Sequence, residues 1–197
     1  MSKRKIFASL LIGFSLIYVI YYINLNHYDE SNSMKSSDCT GISSNKSALI
    51  FCIILARVDS TKAKAVLDSW AKYCDEHRFV VNSSKSLPSQ FKVIVSSAAV
   101  DTYDKLTDKV YASFVDIYEH FDSFDWYLKA DDDTFVFVRN LRRFLARQSP
   151  CSPNAFGYVL RTRFFGKQWL SGGAGSVMSR EAFERLYVAL KRGKCRN

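Results

Sequence analysis

The stretch DWYLKADDDTFVFV, Asp125 to Val138, sets three consecutive aspartates between two runs that read as buried strand. Like charges packed this closely repel one another, and carboxylates are seldom set against a core without something that neutralises them. Alternation along extended chain sends the Asp131 and Asp133 side chains one way and Asp132 the other. Two carboxylates aimed at one point suit a hard divalent cation, which takes oxygen ligands and keeps open positions for phosphate oxygens. The alternative is an acidic turn, solvated and chemically idle; apolar chain on both sides pins this turn to a sheet and favours the cation.

The flanking sequence alternates strand and helix patterns. ALIFCIILA, Ala48 to Ala56, is a continuous apolar run of the kind found in a strand buried on both faces. STKAKAVLDSWAKYC, Ser60 to Cys74, opens with a Ser/Thr cap and carries apolar residues at helical spacing. RFVVN and FKVIVSS supply two short strands, and a helix over roughly 103–121 leads into WYLKA. After the aspartates come TFVFV, a basic helix from about Arg139 to Gln148, the strand AFGYVL, the loop WLSGGAGSVMS and a helix beginning near Arg180. This order implies an α/β fold with a mainly parallel sheet flanked by helices. On an open sheet of that kind ligands bind outside the carboxyl ends of the strands, where Asp131 to Asp133 fall. In the loop, Gly172, Gly173 and Gly175 permit close approach of backbone to a ligand, although any tight turn also needs glycine.

The first residues have a different character. Lys3, Arg4 and Lys5 precede IFASLLIGFSLIYVIYYI, an uncharged apolar run long enough to span a bilayer as helix, and Asp29 and Glu30 follow it. Expected from this are a cytoplasmic tail over 1–5, a single transmembrane signal anchor over 6–25, a Ser/Asn-rich lumenal stem over 26–47 and a folded domain over 48–197. Five cysteines, Cys39, Cys52, Cys74, Cys151 and Cys195, fit an oxidising lumenal setting. Asn45 and Asn82 head N-x-S triplets and are candidate glycosylation sites.

The charge is divided unevenly. Residues 134–197 hold thirteen Lys and Arg against two Glu, a local balance of +11, whereas 1–133 comes to −2. Arg139, Arg142, Arg143 and Arg147 form one basic cluster; Arg161, Arg163 and Lys167 form another. A basic surface suits UDP, an acidic glycoprotein or anionic headgroups, and otherwise is a solvated face. The anchor argues against nucleic acid as a partner.

These residues together resemble the Golgi β1,3-glycosyltransferases, glycosyltransferase family 31, and most closely the core 1 β1,3-galactosyltransferase branch. The resemblance rests on DSWAKYC at Asp68 to Cys74, WYLKADDDTFV at Trp126 to Val136 and WLSGGAGSVMSREAFERL at Trp169 to Leu186, with LTDKVYASF similar to the family's Leu-x-x-Lys helix. What it implies is a GT-A-like, Rossmann-like domain in a single-pass type II protein of the Golgi or ER-Golgi membrane. The implied reaction is inverting, Mn²⁺-dependent transfer of galactose from UDP-galactose to the 3-hydroxyl of an N-acetylgalactosamine carried on Ser or Thr of a glycoprotein, as in core 1 O-glycan synthesis. Asp133 would hold the metal, with Asp131 on the metal or the ribose and Asp132 in the same nucleotide-binding turn. Lys109 would lie near the nucleotide, or on a solvated helix face; Trp169 and the turn from Gly172 to Gly175 would border donor and acceptor, Trp169 alternatively serving as a core or rim aromatic. The resemblance also predicts a Cys52–Cys74 disulfide, while Cys195 pairs beyond this sequence or with Cys151, leaving Cys39 for another chain.

The resemblance implies a general-base carboxylate well after the glycine turn and a metal-binding histidine nearer the C-terminus, and this sequence departs from both. Beyond Asp133 there is no aspartate or histidine, and the only glutamates are Glu181 and Glu184; neither occupies the family's general-base position, so no catalytic base is assigned and the domain is expected to be incomplete at its C-terminus. The alternatives are therefore an active transferase, a nucleotide-sugar-binding but non-catalytic partner or regulator of a full-length galactosyltransferase, or a fringe-like transferase using another UDP-sugar. A homodimer or pairing with another galactosyltransferase chain is compatible with each.

Overall fold

The computed structural model describes residues 47–57, 61–82, 88–96, 106–162 and 166–193. Its centre is β1 (Ile50–Leu55), in which every residue is buried. β2 (Glu76–Val81) and β4 (Trp126–Asp131) lie on either side of β1, both parallel to it, and β3 (Val93–Val95) adds a parallel strand outside β2. Beyond β4 the direction changes: β8 (Ser176–Ser179) runs antiparallel to it, and β5 (Ala155–Gly157) antiparallel to β8. The order β3-β2-β1-β4-β8-β5 makes a six-stranded, mostly parallel sheet, an α/β arrangement that fits the GT-A-like expectation.

Because strand residues alternate between faces, β1 feeds two cores. Ile50, Cys52 and Ile54 join Phe79, Val81, Trp126, Leu128, Ala130 and Val177 on the face packed by α1 (Thr61–Ser69) and α3 (Val138–Leu145). Phe51, Ile53 and Leu55 join Val80, Tyr127 and Met178 on the face packed by α2 (Leu106–His120) and α4 (Arg180–Lys191). On the second face Tyr127 stacks on Phe183 with ring centroids 4.1 Å apart, and its hydroxyl donates to the Phe121 carbonyl at 2.7 Å. Ser179 caps α4 by accepting from the Ala182 N–H at 3.1 Å. At the edge where β1 begins, Arg142 donates to Asp75 at 2.8 Å, to the Tyr73 carbonyl at 3.1 Å and to the Ala48 carbonyl, so it faces inward while Arg139, Arg143 and Arg147 are exposed.

Several elements differ from expectation. TFVFV is not a strand: a turn closed by the Thr134 N–H on the Asp131 carbonyl (3.0 Å) redirects the chain, leaving Phe135 and Phe137 62% and 69% exposed while Val138 is buried at the start of α3. AFGYVL divides, Ala155–Gly157 joining the main sheet and β6 (Val159–Arg161) forming a separate ribbon with β7 (Gln168–Leu170). The stretch read as a loop after Trp169 contains β8, and the first helix ends at Ser69 in favour of a 3-10 turn over Ala71–Tyr73. The tail, the anchor, Cys39, Asn45, Arg163 and Cys195 lie outside the described residues. Among those described, no helix is long and apolar enough to cross a membrane.

Cys52 and Cys74 are disulfide-bonded with Cα atoms 6.1 Å apart, fastening the 3-10 turn to the middle of β1. Cys151 is also disulfide-bonded. Replacing both Cys52 and Cys74 by alanine is expected to lower the unfolding free energy by about 3 kcal/mol, measured by urea denaturation, because the bond closes a 22-residue separation.

His77, paired with Cys52 across β1 and β2, has a buried Nε2 without a hydrogen-bond partner among the described residues. Burial, reinforced by the nearby Lys92 charge, lowers its pKa below the ordinary histidine value. The unfolded chain therefore takes up this proton first, so the contribution is intact above about pH 6.5 and is lost as pH falls below it. His77→Phe should flatten the pH dependence of stability between about pH 6.5 and 5, as read from denaturation midpoints.

Candidate functional site

The chain leaves β1 toward β2 and β3, then crosses back to place β4 on the other side of β1. The carboxyl ends of β1 and β4 therefore flank the point where the strand order reverses, the usual ligand crevice of an open α/β sheet. Leu55 and Asp131 are register partners at that edge. The Asp132 N–H donates to the Leu55 carbonyl at 3.0 Å, and the Asp132 carboxylate accepts from the Arg57 N–H at 3.4 Å. From the first turn of α2, Lys109 reaches the same edge: it is buried, not on a solvated helix face, and donates to the Ala56 carbonyl at 2.8 Å.

β4 ends at Asp131, so the side-to-side alternation of extended chain does not carry through Asp132 and Asp133, which occupy the turn. The three carboxylates consequently have separate partners. Asp131 accepts from Lys129 at 2.6 Å, with the two side chains 28% and 9% exposed. Asp133 accepts from Lys62 on α1 at 3.1 Å, both side chains being 59% exposed; such a pair contributes little and is readily exchanged. Asp131 and Asp133 thus engage lysines on different elements, Lys129 of β4 and Lys62 of α1.

The glycine turn meets this aspartate turn directly. Lys129 donates to the Gly172 carbonyl at 2.9 Å as well as to Asp131, and Thr134 donates to the Gly173 carbonyl at 2.8 Å. Trp70 in turn holds the Thr134 carbonyl through its indole N–H at 2.9 Å. A Cβ on Gly173 would stand 3.8 Å from an Asp131 carboxylate oxygen, and Gly175 has φ +80° with its Cβ direction 3.3 Å from the Lys129 carbonyl. Two blocks forty residues apart are brought together because β8 returns antiparallel along β4, pairing Ser176 with Lys129. Trp169 is half-buried in β7 opposite Leu160, and the ribbon is tied to the glycine turn by the Ser171 N–H on the Tyr158 carbonyl at 2.7 Å.

Sequence reading missed Lys129, Thr134 and Lys62. A signal for Lys129 existed: a lysine inside an apolar strand, two residues before Asp131, shares its face. Nothing comparable marked Thr134 or Lys62. Asn82 is half-buried immediately after β2.

Among the described residues no group of three or more His, Cys, Asp or Glu side chains forms a closed metal cage. The donor chemistry present is carboxylate oxygen from one turn at a ligand crevice, which fits a hard cation that takes one or two carboxylates and completes its shell with phosphate oxygens and water. Glu181 and Glu184 lie elsewhere. α4 starts at the opposite edge, where Ser179 pairs with Trp126 and Arg180 with Asp125 at 2.6 Å, roughly 15–20 Å from Asp131 at strand rise. Burial pushes the Glu184 carboxyl up, and Glu181 accepts from Arg185 at 2.8 Å.

Residues 78–171 match the family model described as galactosyltransferase. The chain is 28% identical over 174 residues to glycoprotein-N-acetylgalactosamine 3-beta-galactosyltransferase 1 of Xenopus laevis, covering 87% of this chain and 45% of that protein. It is 37% identical over 68 residues to a beta-1,3-glucosyltransferase of Mus musculus, 32% of this chain and 14% of that one. The chain thus spans less than half the length of these relatives.

Gly175→Ala should lower the unfolding free energy by about 1–2 kcal/mol in urea denaturation, since alanine is strained at positive φ and its Cβ would crowd the Lys129 carbonyl.

Proposed function

We propose that the chain binds UDP-galactose with Mn²⁺ at the carboxyl edge of β1 and β4 and transfers galactose, with inversion, to the 3-hydroxyl of N-acetylgalactosamine linked to Ser or Thr of a glycoprotein. The observation that carries this reading is the clamping of the aspartate turn against the glycine turn at the sheet's switch point. The reaction for which the Xenopus relative is named supports the donor sugar and acceptor. Asp133, the most exposed of the three aspartates and held by a replaceable lysine, is the carboxylate best placed to hold the cation. When bound, the cation neutralises charge on the departing diphosphate. Lys109 fixes the end of β1 beneath the nucleotide, and Gly172, Gly173, Gly175 and Trp169 border the sugar and acceptor. The Cys52–Cys74 disulfide supports a lumenal Golgi setting behind the apolar run over 6–25.

One observation favours a second reading. Among the described residues beyond Asp133, the carboxylates Glu181 and Glu184 stand at the far edge of the sheet, where neither can deprotonate an acceptor at the aspartate turn. On that reading the chain binds a UDP-sugar without turnover and partners another galactosyltransferase chain.

The test combines calorimetric UDP titration, with and without Mn²⁺, and galactose transfer to an N-acetylgalactosamine-bearing peptide. Mn²⁺-dependent UDP binding, weakened at least about tenfold by Asp133→Asn, with turnover lost in the same variant, is the expected result. Binding without turnover would establish the second reading, and absence of UDP binding would overturn both.

A further inference from the structure

Lys129 is a charged side chain in a strand otherwise packed in the core, 9% exposed and flanked by buried Leu128 and Ala130. Placing an ammonium there costs desolvation that only a well-paired, hydrogen-bonded geometry offsets. The geometry present spans two chain segments: Nζ donates to Asp131 Oδ1 at 2.6 Å on its own strand and to the Gly172 carbonyl at 2.9 Å, 43 residues away. The backbone of the same residue meets the other end of the glycine turn, with Ser176 as its register partner and its carbonyl 3.3 Å from the Cβ direction of Gly175. Residues 172–175 therefore straddle Lys129, side chain at one end and main chain at the other.

We propose that Lys129 is a positioning residue that registers the glycine turn over the aspartate turn, and that it keeps Asp131 as an internal counter-ion, leaving Asp132 and Asp133 to grip a cation. The first half stands on the hydrogen bonds alone; the counter-ion half rests on the function proposed above. The ammonium and the Asp131 carboxylate cancel at 2.6 Å, so the turn presents two uncompensated carboxylates rather than three once Lys62 is displaced from Asp133. Two carboxylates match the two charges of a divalent cation that completes its shell with phosphate oxygens and water.

The test uses the full 197-residue chain carrying Lys129→Met, which keeps length and apolar bulk but loses charge and donors, and the charge-balanced double variant Lys129→Met/Asp131→Asn. In Lys129→Met, amide exchange of Gly175, whose N–H donates to the Gly172 carbonyl at 3.3 Å, should accelerate at least about tenfold while β1 amides stay protected; unchanged Gly175 exchange would overturn the latch. Mn²⁺ affinity, measured without UDP, should be the same in the double variant as in the parent chain within about threefold. A loss of about tenfold or more, about 1.4 kcal/mol, would make Asp131 a cation ligand and overturn the counter-ion assignment. Absence of Mn²⁺ binding in the parent chain would overturn the metal reading and the counter-ion half with it, while the exchange result still decides the latch.

Discussion

A carboxylate at the end of a buried strand has to be neutralised, and at Asp131 the neutralising group is an ammonium carried by the same strand, two residues back on the same face. That constraint reaches outward. Lys129 has a second donor to satisfy, and the Gly172 carbonyl satisfies it only if the chain returns along β4 in the antiparallel sense. Close approach then favours glycine at 175, where φ is positive and a Cβ would stand 3.3 Å from the Lys129 carbonyl, whereas a Cβ at 172 or 173 would meet only ordinary contacts. The aspartate block and the glycine block, which look like separate motifs in the sequence, are the two halves of one electrostatic requirement.

The sheet supplies the rigidity that this site needs. β1 is buried throughout and pairs with β2 and β4, so the carboxyl ends of β1 and β4 are held from both faces of the core. The Asp132 N–H on Leu55 and Lys109 on the Ala56 carbonyl fasten the turn and α2 to the end of that strand. A site on strand ends and a zipped turn is more precisely placed than one on free loops. Thr134 and Trp70 extend the support to the opposite face, since the indole N–H holds the carbonyl of the residue whose hydroxyl holds Gly173.

How much of this could be read from sequence depended on whether the cause was local. β1 was legible because a long apolar run has few alternatives, and the start of α4 because Ser179 is a good cap. The aspartates' position at a strand end was legible for the same reason. β8 was not: four residues following a glycine turn carry too little pattern, and what makes them a strand is pairing with β4. TFVFV failed in the opposite sense, its letters favouring strand while the Asp131–Thr134 turn puts Phe135 and Phe137 outside. Lys129 could be flagged by spacing to Asp131, but its tie to Gly172 is a fact of topology.

The direction of β8 also determines which carboxylates can work with the aspartate turn. Because β8 starts beside Lys129 and ends beside Trp126, the helix that follows it begins at the opposite edge of the sheet. Arg180 locks that beginning to Asp125, and Phe183 is stacked on Tyr127, so α4 cannot slide toward the site without breaking a half-buried ion pair and a core contact. Burial and the Glu181 charge raise the Glu184 pKa, a property that near a substrate would suit proton transfer. Here it arises from packing against the α2 side of the core, away from the aspartate turn. A perturbed carboxyl on this chain is therefore a consequence of where the reversed strand delivers its helix, and the same reversal that brings the glycine turn to the aspartates removes α4 from them.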